Sequence, residues 1–367
     1  MQSIQKQAEN KLVKSAYIHI PFCLSKCKYC SFVSYTDINF KTGYLYSLLK
    51  EITDCYEGDT LETLYFGGGT PSLYTAEELE KILKKFNITD NTEITLEVNP
   101  DSAMNLEKLR EIGFNRLSIG VQTFNNTILN EIGRRHDSEQ AIQTVVKAKK
   151  AGFDNISIDL IYGLPNQTLN VFKKDLNVAK SLPIQHVSLY GLKIDEGCYY
   201  YNHFPQKLPD DDVQADMYLL ATEELKDFEH YEISNWGKTQ SKHNLNYWQE
   251  GEYYGFGAAA HGFVDGVRYF NYRTLNEYMD NPTKHEYGKF LTEQEKLEES
   301  IFLGLRIAKG IDVKNINNKF GIDFDKKYKK IIDKYIQTGH FIKTENGYRF
   351  SLEGFLLSNI ILSEFLN

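Results

Sequence analysis

Repeated βα units around a largely parallel sheet, an α/β fold, are what this sequence predicts. Short apolar runs alternate with helically spaced apolar positions from Ala16 to about Tyr190, and helix-capping signals fall between the runs. A length of 367 residues leaves room for one large α/β domain and an appendage.

The strands are expected at Ala16-Ile20, Thr63-Phe66, Glu93-Val98, Arg116-Val121, Asn155-Leu160 and His186-Tyr190. Between the second and third, Thr75 and Glu78 form a capping box, and Leu79, Ile82, Leu83 and Phe86 repeat along one helical face. Between the fourth and fifth, Ser138 is expected to cap a helix carrying Ala141, Ile142, Val145, Val146 and Ala148, which Gly152 ends. Six such units make either an open, incomplete barrel or a doubly wound sheet, and periodicity does not choose between them. Both architectures gather ligands at the carboxyl ends of their strands.

From about Asp195 to Asn281 the chain is rich in Tyr, Asn and Gly and follows neither period. Beyond Leu291 it turns helical through Leu297, Ile301, Leu305 and Ile307, and a hairpin over Phe341 to Phe350 is expected to turn at Asn346-Gly347. Helices followed by a hairpin suggest a winged-helix-like unit. The expected division is a barrel over 1–230, a connecting segment over 231–290 and an α-rich C-terminal domain over 291–367.

Hydrophobic residues at 41% and charged residues at 25% exclude disorder and fibrous repeats. A net charge of -8 offers no basic field for nucleic acid. No apolar run reaches the roughly 18 residues of a membrane span, and Met1 to Ser15 lacks the apolar stretch of a signal peptide, so a cytoplasmic protein is expected. Of five cysteines, three crowd into Cys23 to Cys30, which speaks for metal or redox chemistry rather than disulfides. Cys55 and Cys198 read as small buried hydrophobes.

The run Cys23-Leu24-Ser25-Lys26-Cys27-Lys28-Tyr29-Cys30 follows the first strand directly. A structural zinc site takes four protein ligands, and a protein-held four-iron cluster takes four cysteines. Three thiolates leave one metal corner open. A zinc knuckle completed by His19 or a remote residue is the alternative.

With Tyr17-Ile18-His19-Ile20-Pro21-Phe22 leading into these cysteines and Ser31-Phe32 following, the chain resembles the radical S-adenosylmethionine (SAM) superfamily. Within it the resemblance is to the group of oxygen-independent coproporphyrinogen III dehydrogenases and HemW-type heme chaperones. It implies a partial (β/α)6 barrel and a 4Fe-4S cluster on Cys23, Cys27 and Cys30, whose open iron chelates SAM and whose electron cleaves it to a 5'-deoxyadenosyl radical. Gly67-Gly68-Gly69-Thr70-Pro71 matches the segment whose backbone meets the methionine amino group, so Gly68, Gly69 and Thr70 are expected at the cofactor. Glu97, Gln122 and Asp159 match the wall that binds ribose hydroxyls. Arg134, rather than its neighbour Arg135, matches the partner of the methionine carboxylate, and Tyr17 and Tyr29 match positions lining the cofactor.

The dehydrogenases carry a further cysteine where this chain has Phe32, and a longer segment than the sixteen residues that precede Tyr17 here. Both departures speak against porphyrinogen decarboxylation, the alternative activity, and match the chaperone branch. His243-Asn244-Leu245-Asn246-Tyr247-Trp248 matches that branch's heme-associated segment, which makes His243 the expected heme ligand; an ordinary hydrogen-bonded histidine is the alternative. His261 is a second candidate ligand, read as structural because glycine flanks it. The resemblance implies heme as cargo and a heme-accepting protein, such as a respiratory hemoprotein, as partner. It carries membrane contact that is at most peripheral and leaves a homodimer open.

Overall fold

The computed structural model describes residues 12–102 and 104–366. Most of the N-terminal stretch read as lacking a signal peptide lies outside them. No helix among the described residues is long and apolar enough to cross a membrane.

Strands β1 (Ser15–Ile20), β2 (Thr60–Gly68), β3 (Asn87–Val98), β4 (Arg116–Gln122), β5 (Asn155–Tyr162) and β6 (His186–Gly191) pair in parallel, each with its predecessor. A doubly wound sheet reverses its strand order at a switch point. This one does not, so the six units form the partial barrel.

Three short strands extend it. β7 (Glu229–Glu232) and β8 (Asn235–Gly237) form a hairpin whose second strand runs antiparallel to β6, while β9 (Tyr254–Phe256) lies parallel to β1 on the opposite edge. The sheet order is therefore β7-β8-β6-β5-β4-β3-β2-β1-β9. The boundary expected at residue 230 falls inside β7. Residues 231–290, expected as a connecting segment, supply β8, β9 and a separate antiparallel sheet of β10 (His261–Val264), β11 (Val267–Asn271) and β12 (His285–Phe290).

Strand alternation sorts the side chains. Ile18, Ile20, Leu64, Phe66, Leu96, Ile119 and Ile158 are fully buried, and they join Leu79, Ile82, Val145 and Ala148 of the covering helices in one core. The alternate positions Tyr17, His19, Tyr65, Glu97, Ser118 and Asp159 are mostly polar and turn to the concave side. The fold thus spends its apolar residues outside the barrel and keeps its interior for chemistry.

Thr75 forms the expected capping box with Glu78 on the helix Ala76–Leu83. The helix Ser138–Lys150 is capped by Asp137 rather than Ser138. The Asp137 carboxylate accepts from Gln140 N–H, while the Gln140 side chain reaches back to Asp137 N–H. In the C-terminal region the helix Glu293–Leu305 precedes a three-stranded sheet ordered β13 (Ile311–Asp312), β15 (Gly347–Phe350), β14 (Phe341–Lys343). The hairpin turns over residues 344–346, with Gly347 already in its second strand. A Cβ on Gly347 would stand 2.3 Å from Ile311 O, so the close crossing of β13, not the turn, requires glycine there.

One buried carboxylate fastens the far edge. Glu51, on the helix Lys41–Cys55, accepts from Gly257 N–H at 2.8 Å, Asn271 Nδ2 at 2.6 Å and Tyr278 Oη at 2.5 Å. It thereby joins that helix to the segments after β9 and at the end of β11. Glu51→Ala leaves Gly257 N–H and Tyr278 Oη without this acceptor, while Asn271 Nδ2 keeps Gly257 O at 2.9 Å, and is expected to cost about 3 kcal/mol in chemical denaturation. Glu51→Gln, which keeps one acceptor, should cost less.

Candidate functional site

The loop after β1 is closed by its own backbone: Tyr35 N–H donates to Pro21 O at 2.7 Å and Cys23 N–H to Tyr35 O at 3.0 Å. Lys28 N–H donates to Ile132 O at 3.0 Å and anchors the far side of the loop. Cys23, Cys27 and Cys30 are free, half-buried thiols. All three border one cavity of about 510 Å³ at the carboxyl ends of the barrel strands. Burial pushes the Cys23 thiol up and that of Cys30 to about 11.

No three His, Cys, Asp or Glu side chains among the described residues gather closely enough to hold one metal ion. A four-iron cluster asks less, because its cysteines bind separate irons and need only face one space. His19, the candidate fourth zinc ligand, is engaged elsewhere. Its Nε2 lies 2.9 Å from Val33 O, which can only accept, so Nε2 carries the proton and Nδ1 accepts from Tyr17 Oη at 3.0 Å.

Polar side chains from the next strands converge on the same space. Thr70 Oγ1 donates to Cys23 Sγ at 3.6 Å and accepts from Asn99 Nδ2 at 2.9 Å. Arg134 donates through Nη1 to Cys27 Sγ at 3.5 Å and through Nη2 to Asn99 Oδ1 at 2.7 Å and Gly120 O at 2.6 Å. Its Nε is buried without a partner among the described residues. Arg135 instead pairs with Asp101 at 3.0 Å on the exposed side, which separates the two neighbours.

Glu97 Oε1 accepts from Tyr65 Oη at 2.8 Å and Oε2 from Gly68 N–H at 3.1 Å. Asp159 accepts from Ser118 Oγ at 3.1 Å. Burial, with Asp159 alongside, pushes Glu97 up to about 7, and burial likewise raises Asp159. Gln122 sits at φ 69°, in the left-handed region costly for a residue with a side chain, where the β4–β5 register shifts. That twist turns its amide into the cavity wall. Tyr29 borders the cavity against a small apolar cluster containing Ile128 and Ile161.

Gly68, Gly69 and Thr70 border the cysteine cavity, and a Cβ on Gly69 would meet Phe22 O at 2.7 Å and one on Gly68 the His19 ring at 2.6 Å. The glycines are needed first for the protein's own β1 loop. Tyr17 borders a second cavity, between β1 and the β10–β12 sheet, rather than the cysteine cavity; its ring stacks on Tyr65 and its hydroxyl is held by His19.

His243 is only 2% exposed and both its nitrogens are engaged. Thr63 Oγ1 donates to Ser15 Oγ and so accepts from Nδ1–H at 2.7 Å, leaving Nε2 to accept from Tyr247 Oη at 2.7 Å. The ring also stacks on Tyr65 at 4.9 Å, and burial with nearby Arg116 lowers it to about 3. His261, read as structural, is instead exposed at the start of β10.

Asn99, Arg116, Ser118, Tyr65 and Asn244 also line the cysteine cavity. Strand alternation signals Ser118 and Tyr65, which share a face with Arg116, whereas Asn244 has no local signal because its helix, Lys242–Trp248, is placed by tertiary contacts.

The radical SAM superfamily pattern matches residues 17–179 and that of the HemN C-terminal domain matches residues 291–357. The heme chaperone HemW of Lactococcus lactis is 37% identical over 96% of this chain and 97% of its own length. That of Bacillus subtilis is 36% identical over 96% and 99%. Coproporphyrinogen III oxidase (HemN) from Escherichia coli, described as a radical SAM enzyme, has the same fold: TM-score 0.86 and 23% identity, over 98% of this chain and 91% of that one. Matched by the superfamily pattern from its first barrel strand and by these relatives along nearly its whole length, the chain belongs to the HemW family of radical SAM proteins.

Proposed function

We infer that this chain binds heme and hands it to an acceptor protein, on a scaffold that holds a 4Fe-4S cluster and SAM. The observation that carries the reading is the agreement, over 96% of the chain, with relatives named heme chaperones. Phe32, in the position of the dehydrogenases' further cysteine, favours it over porphyrinogen oxidation.

The donor set fits the cofactors. Cys23, Cys27 and Cys30 would hold the cluster, and its open iron would hold SAM. When bound, the cluster supplies one electron to the sulfonium. Around that pair, the Gly68–Thr70 backbone and Arg134 would orient the methionine end. Glu97, Gln122 and Asp159 would accept and donate hydrogen bonds at the ribose, with Tyr29 covering the cysteine side. Arg134 also donates to Cys27 Sγ and so helps to fix where that sulfur points.

Two measurements test the reading. Anaerobic reconstitution should give about four irons per chain, and Cys30→Ser should lower the yield several-fold; stoichiometric zinc without iron would refute the cluster. Hemin added to the purified full chain should develop a Soret band at about one equivalent. Its absence at micromolar protein would remove the cargo.

Glu97 gives the wall a pH signature. Its folded-state value of about 7 lies above the 4.5 of the free side chain, so the folded chain holds this proton more tightly. The stabilisation is complete below pH 4.5 and is lost as pH rises through 7. Glu97→Gln should flatten the stability profile of the cluster-free chain over this window by on the order of 3 kcal/mol. Unfolding midpoints at a series of pH values measure it, and parallel profiles would contradict the assignment.

A further inference from the structure

We propose that Arg116 is a positioning residue of the ribose wall: its unpaired guanidinium, on β4 between the strands that carry Glu97 and Asp159, keeps both carboxylates charged and so able to accept from ribose hydroxyls. The proposal rests on the SAM-binding reading above and deepens it. Arg116 is 2% exposed, yet its guanidinium makes no hydrogen bond or ion pair among the described residues, and its Nε is fully buried. A buried charge is costly unless an opposite charge answers it. Here the answering charges stand nearby without touching it.

Register puts Arg116 beside Thr95 of β3 and Asn155 of β5. Strand alternation carries Glu97 and Asp159 onto the same concave face, nearer the carboxyl ends, and all three side chains border the cysteine cavity. Two buried acids facing one ligand tend to hold a proton between them, and a cation alongside opposes that. Burial raises both Glu97 and Asp159, and the Arg116 charge pulls both back down. Tyr65, Gly68 N–H and Ser118 also donate to the pair, but these donors carry no charge of their own.

The other titratable groups around the pair leave this part to Arg116. Tyr17, Tyr65, Tyr190 and Tyr247 are pushed up by burial and stay neutral. His186 and His243, near Arg116, are held low by burial and add no positive charge. Glu93, on the same face of β3, is committed to the N–H groups of Lys242 and His243. Arg134 also favours the Asp159 charge, but its Nη atoms are spent on Cys27, Asn99 and Gly120. Arg116 has no such bonds to make, so its charge acts on the acids.

SAM titrated into the reconstituted full chain, with the cluster oxidised so that no electron passes, reads the first effect. Arg116→Gln should weaken SAM binding about tenfold at neutral pH and regain most of it about one pH unit higher. Arg116→Lys, which keeps the charge, should bind nearly as the wild type does. The cluster-free chain gives the second effect. Its Glu97 stabilisation, complete at low pH, is lost as pH rises through about 7, and in Arg116→Gln that loss should move up by about one pH unit. A merely structural role would lower stability without moving the window. If Arg116→Gln does not fold, adding Glu97→Gln removes a charge that Arg116 serves: recovered folding would support the proposal, and continued failure would overturn it. Wild-type SAM affinity or an unmoved stability window in Arg116→Gln would also overturn it and leave the cofactor reading standing. A reconstituted wild-type chain that binds no SAM would end that reading, and this proposal with it.

Discussion

A single guanidinium ties the cysteine loop to the barrel. Arg134 reaches Cys27 on the loop after β1, Asn99 beyond β3 and the Gly120 carbonyl on β4, so three chain segments far apart in sequence meet at one planar group. Burial works against its charge, but Tyr29 and Cys27 beside it outweigh that and hold its proton more tightly than usual. An irregular loop needs such a brace, since it has no ladder of its own to fix where its thiols point. Asn99 extends the brace through Thr70 to Cys23, so two of the three thiols are positioned by one connected polar network.

The same division of labour runs through the barrel. Apolar faces of the strands pack on the outer helices, and this leaves the concave side free to carry Glu97, Asp159, Ser118 and Arg116 without weakening the core. Buried acids are costly unless hydrogen-bonded, and each here has donors: Tyr65 and Gly68 for Glu97, Ser118 for Asp159. The helix Lys242–Trp248 is held by the same means, since Glu93 accepts from both Lys242 N–H and His243 N–H. Its residues then serve different spaces: Asn244 borders the cysteine cavity and Tyr247 the second one.

Much of this was legible in the sequence for a definite reason. Six strands of five or more residues have enough length to show a period, and a capping box such as Thr75–Glu78 is a local signal that tertiary structure had no cause to override. The cysteine spacing likewise placed three thiols on one loop. What was not legible depends on contacts made at a distance. β8 and β9 have three residues each, too few for any pattern. Asp137 displaced Ser138 as a cap because Gln140 could answer it. Tyr17 follows strand alternation onto the concave face as expected, yet its hydroxyl is drawn to His19 and its ring to the other cavity. For His243 the residue type was informative and its hydrogen bonding was not, since only folding brings Thr63 and Tyr247 to its two nitrogens.

The pairing of β1 with β9 has a consequence for how the chain is made. The strand that leads into the cysteines finds its inner neighbour, β2, within the first 68 residues, but its outer neighbour ends at Phe256. As the polypeptide leaves the ribosome, that edge stays bare while most of the barrel is assembled, an open template for mispairing. A nascent or truncated product stopping short of Tyr254 therefore keeps the strand that leads into its thiols uncovered on that edge.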